Sequence, residues 1–149
     1  MRWLVLPVPP TTNHSHVVVG DGHRVRRVPT AKTRAFREEA GWLARQWAVE
    51  TGWAMPGSDV PAGPDPPAGP VPPVVLRIAV FWPDRRRRDS SNLLKELLDA
   101  LEGILYQDDR QVWPQVVWVG VDRERPRVMV LPRLVHGRRR RDRCGRRSR

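Results

Sequence analysis

The sequence predicts a small α+β domain, a mixed β-sheet of about four strands packed with two helices. Short apolar runs at residues 3–8, 74–82, 115–121 and 127–131 have the length and alternation of strands. Two longer segments, 30–51 and 90–102, repeat their apolar residues at helical spacing. The order strand, helix, strand, helix, strand, strand fits a mixed sheet covered by helices.

Each element has its own local reason. Residues 3–8 end at Pro9 and Pro10, which close a first strand. Residues 11–29 are polar and rich in His, Arg and Val, and read as a long loop with a ragged hairpin around Gly20, Asp21 and Gly22. Thr30 can cap the first helix, whose apolar face is Phe36, Ala40, Leu43, Trp47 and Ala48. Arg34, Arg37, Glu38 and Glu39 fall largely on its other side, so it reads as a plain packing helix. Residues 53–73 hold eight of the sixteen prolines and form a linker or excursion loop, since such a composition buries little apolar surface.

The strand VVLRIAVFW at 74–82 sets Val74, Leu76, Ile78, Val80 and Trp82 on one face. Val75, Ala79 and Phe81 make the other face apolar too, so both faces are expected to be covered. In the second helix Leu93, Leu94, Leu97, Leu98 and Leu101 fall within an arc of about 140°. Asn92, Lys95, Asp99 and Glu102 occupy the opposite arc, and Gly103 is a natural terminator. A turn at 122–126 joins the last two strands. The folded domain is therefore expected over 1–135, with a Pro/Gly-rich insertion at about 53–73 and a disordered basic tail at 136–149.

Charge is concentrated rather than spread. The formal net charge is +11, and residues 138–149 alone contain eight arginines and one aspartate. A block of like charge repels itself and attracts polyanions, though it can equally serve only to solubilise. Lysine occurs only at Lys32 and Lys95, which makes Lys95 conspicuous in an arginine-rich chain. The single cysteine, Cys144, excludes a disulfide framework and a cysteine metal site. No apolar run approaches the ~20 residues of a membrane span. The opening MRWLVLPVPP is too short and proline-rich for a signal peptide, so a cytoplasmic location is expected.

The chemistry-bearing residues cluster between 85 and 112. Arg85, Arg86, Arg87 and Arg88 precede Asp89, and Asp108 and Asp109 follow the second helix. Carboxylates hold hard cations such as Mg²⁺, and arginines hold phosphates. A helix of this length spans ~20 Å, so its two acidic ends meet only if the chain folds back after Gly103. The apolar triplet Ile104, Leu105, Tyr106 favours that return, because it must find the core. Lys95, on the face of Asn92 and Asp99, is placed to contact a scissile phosphate or a departing oxyanion. Plainer roles compete: a helix cap for Asp89, a turn for Asp108 and Asp109, a solvated surface for Lys95, a structural part for Asp99. His14, His16, His23 and His136 have no partner at metal-ligand spacing, and no phosphate loop or serine nucleophile motif occurs. The seven tryptophans read mainly as core, with base stacking as the alternative for Trp113 and Trp118.

This pattern resembles the RusA-type Holliday junction resolvases. Those enzymes show an arginine-rich stretch, then D-x-D-N-x-x-K, a D-A-L helix end and D-D-x-Q-V. Here the elements read Arg85 to Arg88, Asp89-Ser90-Ser91-Asn92-Leu93-Leu94-Lys95, Asp99-Ala100-Leu101 and Asp108-Asp109-Arg110-Gln111-Val112. Pro9-Pro10-Thr11-Thr12-Asn13 resembles the family's P-P-S-x-N entry, and TRAFR at 33–37 the start of its first helix. The resemblance implies a RusA-like α+β fold and a homodimer on four-way DNA, with Mg²⁺-dependent paired nicking in recombination and repair and Mn²⁺ as a substitute. It implies Asp89 and Asp109, with Asp108 as a further candidate, as metal-binding carboxylates and Lys95 as the catalytic lysine. Ser91 and Asn92 would support the site, and Arg85 to Arg88 and Asn13 would contact DNA. The family's second aspartate falls on Ser91, which carries no charge. The alternative expectation is therefore a degenerate relative that binds junctions without cutting them.

Overall fold

The structure is a computed structural model that describes residues 2–10, 16–20, 25–57, 71–88 and 91–135. Asn13, Asp89, Ser90, His14, His23, His136, Cys144, most of the proline-rich insertion and the basic tail lie outside the described residues.

Strand β1 (Leu4–Leu6) is followed by a hairpin of β2 (His16–Gly20) and β3 (Val25–Pro29). Helix α1 (Ala31–Thr51), strand β4 (Val74–Trp82), helix α2 (Ser91–Leu101), and strands β5 (Val112–Val121) and β6 (Arg127–Leu134) complete the order. The main sheet runs β1-β6-β4-β5, with β4 parallel to β5 and antiparallel to β6. This is the expected mixed α+β arrangement. Parallel pairing of β4 and β5 needs a crossover, and α2 supplies it. The expected ragged hairpin forms as a separate two-stranded sheet, pairing His16 with Pro29 and Gly20 with Val25. The fifth strand begins at Val112, three residues earlier than its apolar alternation suggests, because Val112 pairs beside Val74 in the ladder.

Both helices bury their apolar residues against one face of the sheet. That core joins Leu4, Leu6, Leu76, Ile78, Val80, Val128 and Val130 to Phe36, Ala40 and Trp47 of α1 and Leu93, Leu97 and Leu101 of α2. Thr30 caps α1 as expected, its hydroxyl accepting from the Thr33 amide. Gly52, at φ +68°, ends it and donates its amide to Ala48 and Val49. Trp47 and Trp53 anchor this end, their indole N–H groups donating to the carbonyls of Arg2 and Leu105.

The opposite face of the sheet carries no helix among the described residues, contrary to the expectation that β4 is covered on both sides. The ladder places Val5, Met129, Ala79 and Trp118 in one row across this face. Arg127, Phe81 and Gly120 form the next row, and Arg133, Val75 and Trp113 lie further along. Ala79 and Leu131 are buried on this face although they stand outside the main core. Trp113 and Trp118 are 55% and 59% exposed, so the core role expected of most tryptophans fails for both. Sequence alternation marks a face as apolar; it does not say that an element exists to cover it.

Candidate functional site

The arginine stretch follows directly from the end of β4. Asp84 organises it, accepting from the Arg86 amide at 2.9 Å and from the Arg88 guanidinium at 2.5 and 3.0 Å. The Arg88 side chain first, then the Arg86 amide, hold the Asp84 carboxyl down at about 2. The loop therefore keeps this pair above the ordinary carboxylate pKa and loses it only as pH falls toward about 2. Arg88 also lies over the Trp82 ring, 5.0 Å from its centroid. Arg88 is thus spent on the fold, while Arg85, Arg86 and Arg87 are exposed. With Val119, Gly120 and Val121 they line a shallow groove at the end of the sheet.

Helix α2 presents Lys95 to solvent and half-buries Asn92 and Asp99. Its buried arc differs from the leucine stripe. Glu96 and Ala100 are buried beside Leu93, Leu97 and Leu101, whereas Leu94 and Leu98 are only partly so. The helix is rotated because Glu96 meets Arg37 of α1, whose guanidinium donates to Glu96 Oε2 at 2.9 and 3.3 Å. The same Arg37 donates to Asp99 at 2.9 Å, which fits the structural role expected of Asp99. Arg37 was expected on the outer side of α1 and instead joins the two helices. Glu96 Oε1 has no hydrogen-bond partner among the described residues, and His16 Nδ1 of the hairpin stands 3.8 Å from it.

The expected return after α2 takes place. Gly103 adopts φ +74°, a conformation glycine tolerates best, and its amide donates to the Tyr106 carbonyl at 2.7 Å. Leu105 and Tyr106 are fully buried, and the Tyr106 hydroxyl donates back to the Leu98 carbonyl at 2.7 Å. Burial raises the Tyr106 pKa first, and the charges of Glu102, Asp99 and Asp109 raise it further. Asp109 is therefore carried back to where its charge, like those of Asp99 and Glu102, is felt by Tyr106. Asp108 caps the short 3-10 turn Asp109–Gln111, and its carboxylate is gripped by Arg110 at 2.6 to 3.1 Å. That pairing, led by the Arg110 side chain, holds the Asp108 carboxyl well below the usual range.

The structure does not bring all the sequence candidates together. Asp109 stands just before Val112, which pairs with Val74, whereas the arginine groove adjoins Trp82 and Val121 at the other end of the ladder. Eight strand steps at ~3.3 Å each put roughly 26 Å between those ends. Side chains of Asp89 and Ser91 lie outside what is described, and no group of three His, Cys, Asp or Glu residues is placed to share a metal among the described residues. No described helix is long and apolar enough to cross a membrane.

A family model for the endodeoxyribonuclease RusA matches residues 7–131. The chain belongs to the RusA family. It is 31% identical over 110 residues to the crossover junction endodeoxyribonuclease RusA of Escherichia coli K12, covering 73% of this chain and 74% of that one. The corresponding enzymes of Shigella sonnei and of enterobacteria phage 82 match with the same identity and coverage. The matched RusA region spans the arginine stretch, α2, Lys95 and Asp109, together with β4, β5 and most of β6. Glu96, absent from the expected site, is the most consequential residue the sequence reading passed over. Its one signal is position: it lies 60° from Leu93 on the helical wheel, at the margin of the apolar arc.

Proposed function

We propose that this RusA-family chain is a homodimeric, Mg²⁺-dependent endonuclease that resolves four-way DNA junctions by paired phosphodiester hydrolysis. The observation that carries this reading is the family match across 7–131, which includes every described element of the motif block. Asp89 and Asp109 would hold the metal, Asp89 of one protomer beside Asp109 of its partner, because within one chain the arginine stretch that precedes Asp89 and the turn at Asp109 stand at opposite ends of the β4–β5 ladder. Carboxylate oxygens suit a hard cation, and Asp109 keeps an exposed side chain while Asp99 and Asp108 are engaged by arginines. Bound there, Mg²⁺ would polarise a phosphodiester and supply an activated water. Lys95 offers its ammonium to the departing oxyanion, and Arg85, Arg86 and Arg87 neutralise backbone phosphates. Asn13 is a further candidate DNA contact, with Ser91 and Asn92 supporting the metal carboxylates.

Incubating the full chain with a synthetic four-way junction tests this reading. Paired nicks with Mg²⁺ or Mn²⁺ and none with chelator are expected, together with a dimer mass in sedimentation equilibrium. Absence of nicking by both the natural chain and Ser91→Asp removes the enzyme.

Ser91 in the place of an aspartate favours a second reading, a relative that binds junctions without cutting. It predicts junction affinity that survives chelation and Asp89→Asn, with no product at any metal concentration. A gel-shift comparison of junction and linear duplex separates the two.

The basic tail should act on all DNA alike. Deleting residues 138–149 is expected to weaken junction and duplex binding together and to reduce the salt slope by up to ~0.9 per lost phosphate contact. An unchanged slope would make the tail a bystander.

A further inference from the structure

Glu96 is a buried acid that the proposed chemistry leaves unused, and it decides which way α2 faces. At ~100° per residue, the five leucines of α2 centre an arc that would leave Lys95 about 130° from its middle. The buried residues are instead Leu93, Glu96, Leu97, Ala100 and Leu101, with Leu94 and Leu98 only partly covered. The middle of that arc lies about 60° away round the helix, which sets Lys95 about 170° from it, out in solvent. Apolar burial alone favours the leucine-centred setting, because it would exchange a carboxylate for two leucines. Arg37 opposes that rotation. Its guanidinium holds Glu96 Oε2 at 2.9 and 3.3 Å, and also Asp99, almost one turn further along, at 2.9 Å. From the hairpin, His16 Nδ1 stands 3.8 Å from Glu96 Oε1.

We propose that Glu96 is a positioning residue: gripped by Arg37, it fixes the rotation of α2 and so aims Lys95 at the reacting phosphodiester. The inference rests on the nuclease reading for what Lys95 acts upon, while the setting of the helix is independent of it. An ammonium stabilises a departing oxyanion only from hydrogen-bond distance. Lys95 carries its charge well off the helix axis, so a turn of about 60° displaces it by several ångström. Misplacing a reacting group by about 1 Å can cost about a hundredfold in rate. A pair that served only to hold the helices together would behave differently. Its loss would lower stability and leave cleavage by the folded molecules intact.

The test follows single-turnover junction cleavage and junction affinity of the full chain and its variants. Glu96→Ala removes the carboxylate and strands no buried charge, since Arg37 keeps Asp99. It is expected to slow cleavage by about tenfold or more, with junction affinity within about twofold. Glu96→Gln, which still offers Arg37 an oxygen, should recover most of the rate. In a Lys95→Ala background, Glu96→Ala should cost nothing further, because the two residues act as one unit. A soluble paramagnetic relaxation agent reads the helix without any chemistry. The methyl groups of Leu94 and Leu98 should become about twofold less accessible in Glu96→Ala, as the leucine stripe turns inward. Arg37→Gln repeats each comparison should Glu96→Ala fold poorly. Losses that add in the two backgrounds, or leucine methyls that stay as accessible as before, overturn the proposal. Cleavage by the natural chain is scored separately. A chain that binds junctions and never cuts defeats the nuclease reading, and the methyl accessibilities then decide the helix setting by themselves.

Discussion

Replacing Asp109 with asparagine is expected to lower four-way-junction cleavage by about a hundredfold or more and to leave junction affinity within about threefold. The substitution keeps shape and removes only the charge that would hold the cation. The fold should survive it, because Asp109 is exposed and the turn is capped by its neighbour Asp108. Asp108→Asn is the matched control. It retains capping ability and loses only a solvent-exposed ion pair with Arg110, so cleavage should fall little. The measurement is single-turnover cleavage at saturating Mg²⁺ beside a gel-shift titration. Undiminished cleavage by Asp109→Asn would remove this carboxylate from the site, and with it half of the proposed metal ligation.

The second large effect is on stability. Arg37→Met is expected to destabilise the domain by about 3 kcal/mol, because it strands the fully buried Glu96 carboxylate without its strongest partner. Arg37 itself is about a third exposed and His16 stands close to Glu96, which keeps the figure at the lower end of the range for a broken buried pair. Urea denaturation of the single variant and of Arg37→Met/Glu96→Leu measures it. The double variant should recover most of the loss, since two apolar side chains can replace a buried pair at little cost. A single variant that loses less than about 0.5 kcal/mol would show that Glu96 is hydrated in solution. The cleavage rate offers a second readout, because Lys95 is adjacent to Glu96 and moves with any rotation of α2.

Particular residues show how far the sequence carried the reading. The return after α2 was legible because its causes are local. Gly103 permits the left-handed turn, and Leu105 and Tyr106 have no acceptable place in water. The cap at Thr30 and the strand at 74–82 were legible for the same kind of reason. The Arg37–Glu96 contact was not, since the two residues are 59 positions apart on separate helices. Arg37 was expected on the outer side of α1, and Glu96 was passed over until the helices packed. The five-leucine stripe also misplaced the buried arc of α2, because leucine counts hydrophobicity alone and a paired glutamate can be buried ahead of it.

The sequence by itself determined the element types, the family motif and the identity of the candidate carboxylates, lysine and arginines, because backbone preference and side-chain chemistry are local properties. Only the tertiary structure decided that one sheet face carries no helix among the described residues, that Arg88 is consumed by Asp84 while three arginines remain exposed, and that Asp109 lies at the opposite end of the β4–β5 ladder from those arginines. These outcomes depend on which distant surfaces meet, and contacts between surfaces far apart along the chain leave no periodic trace in either segment.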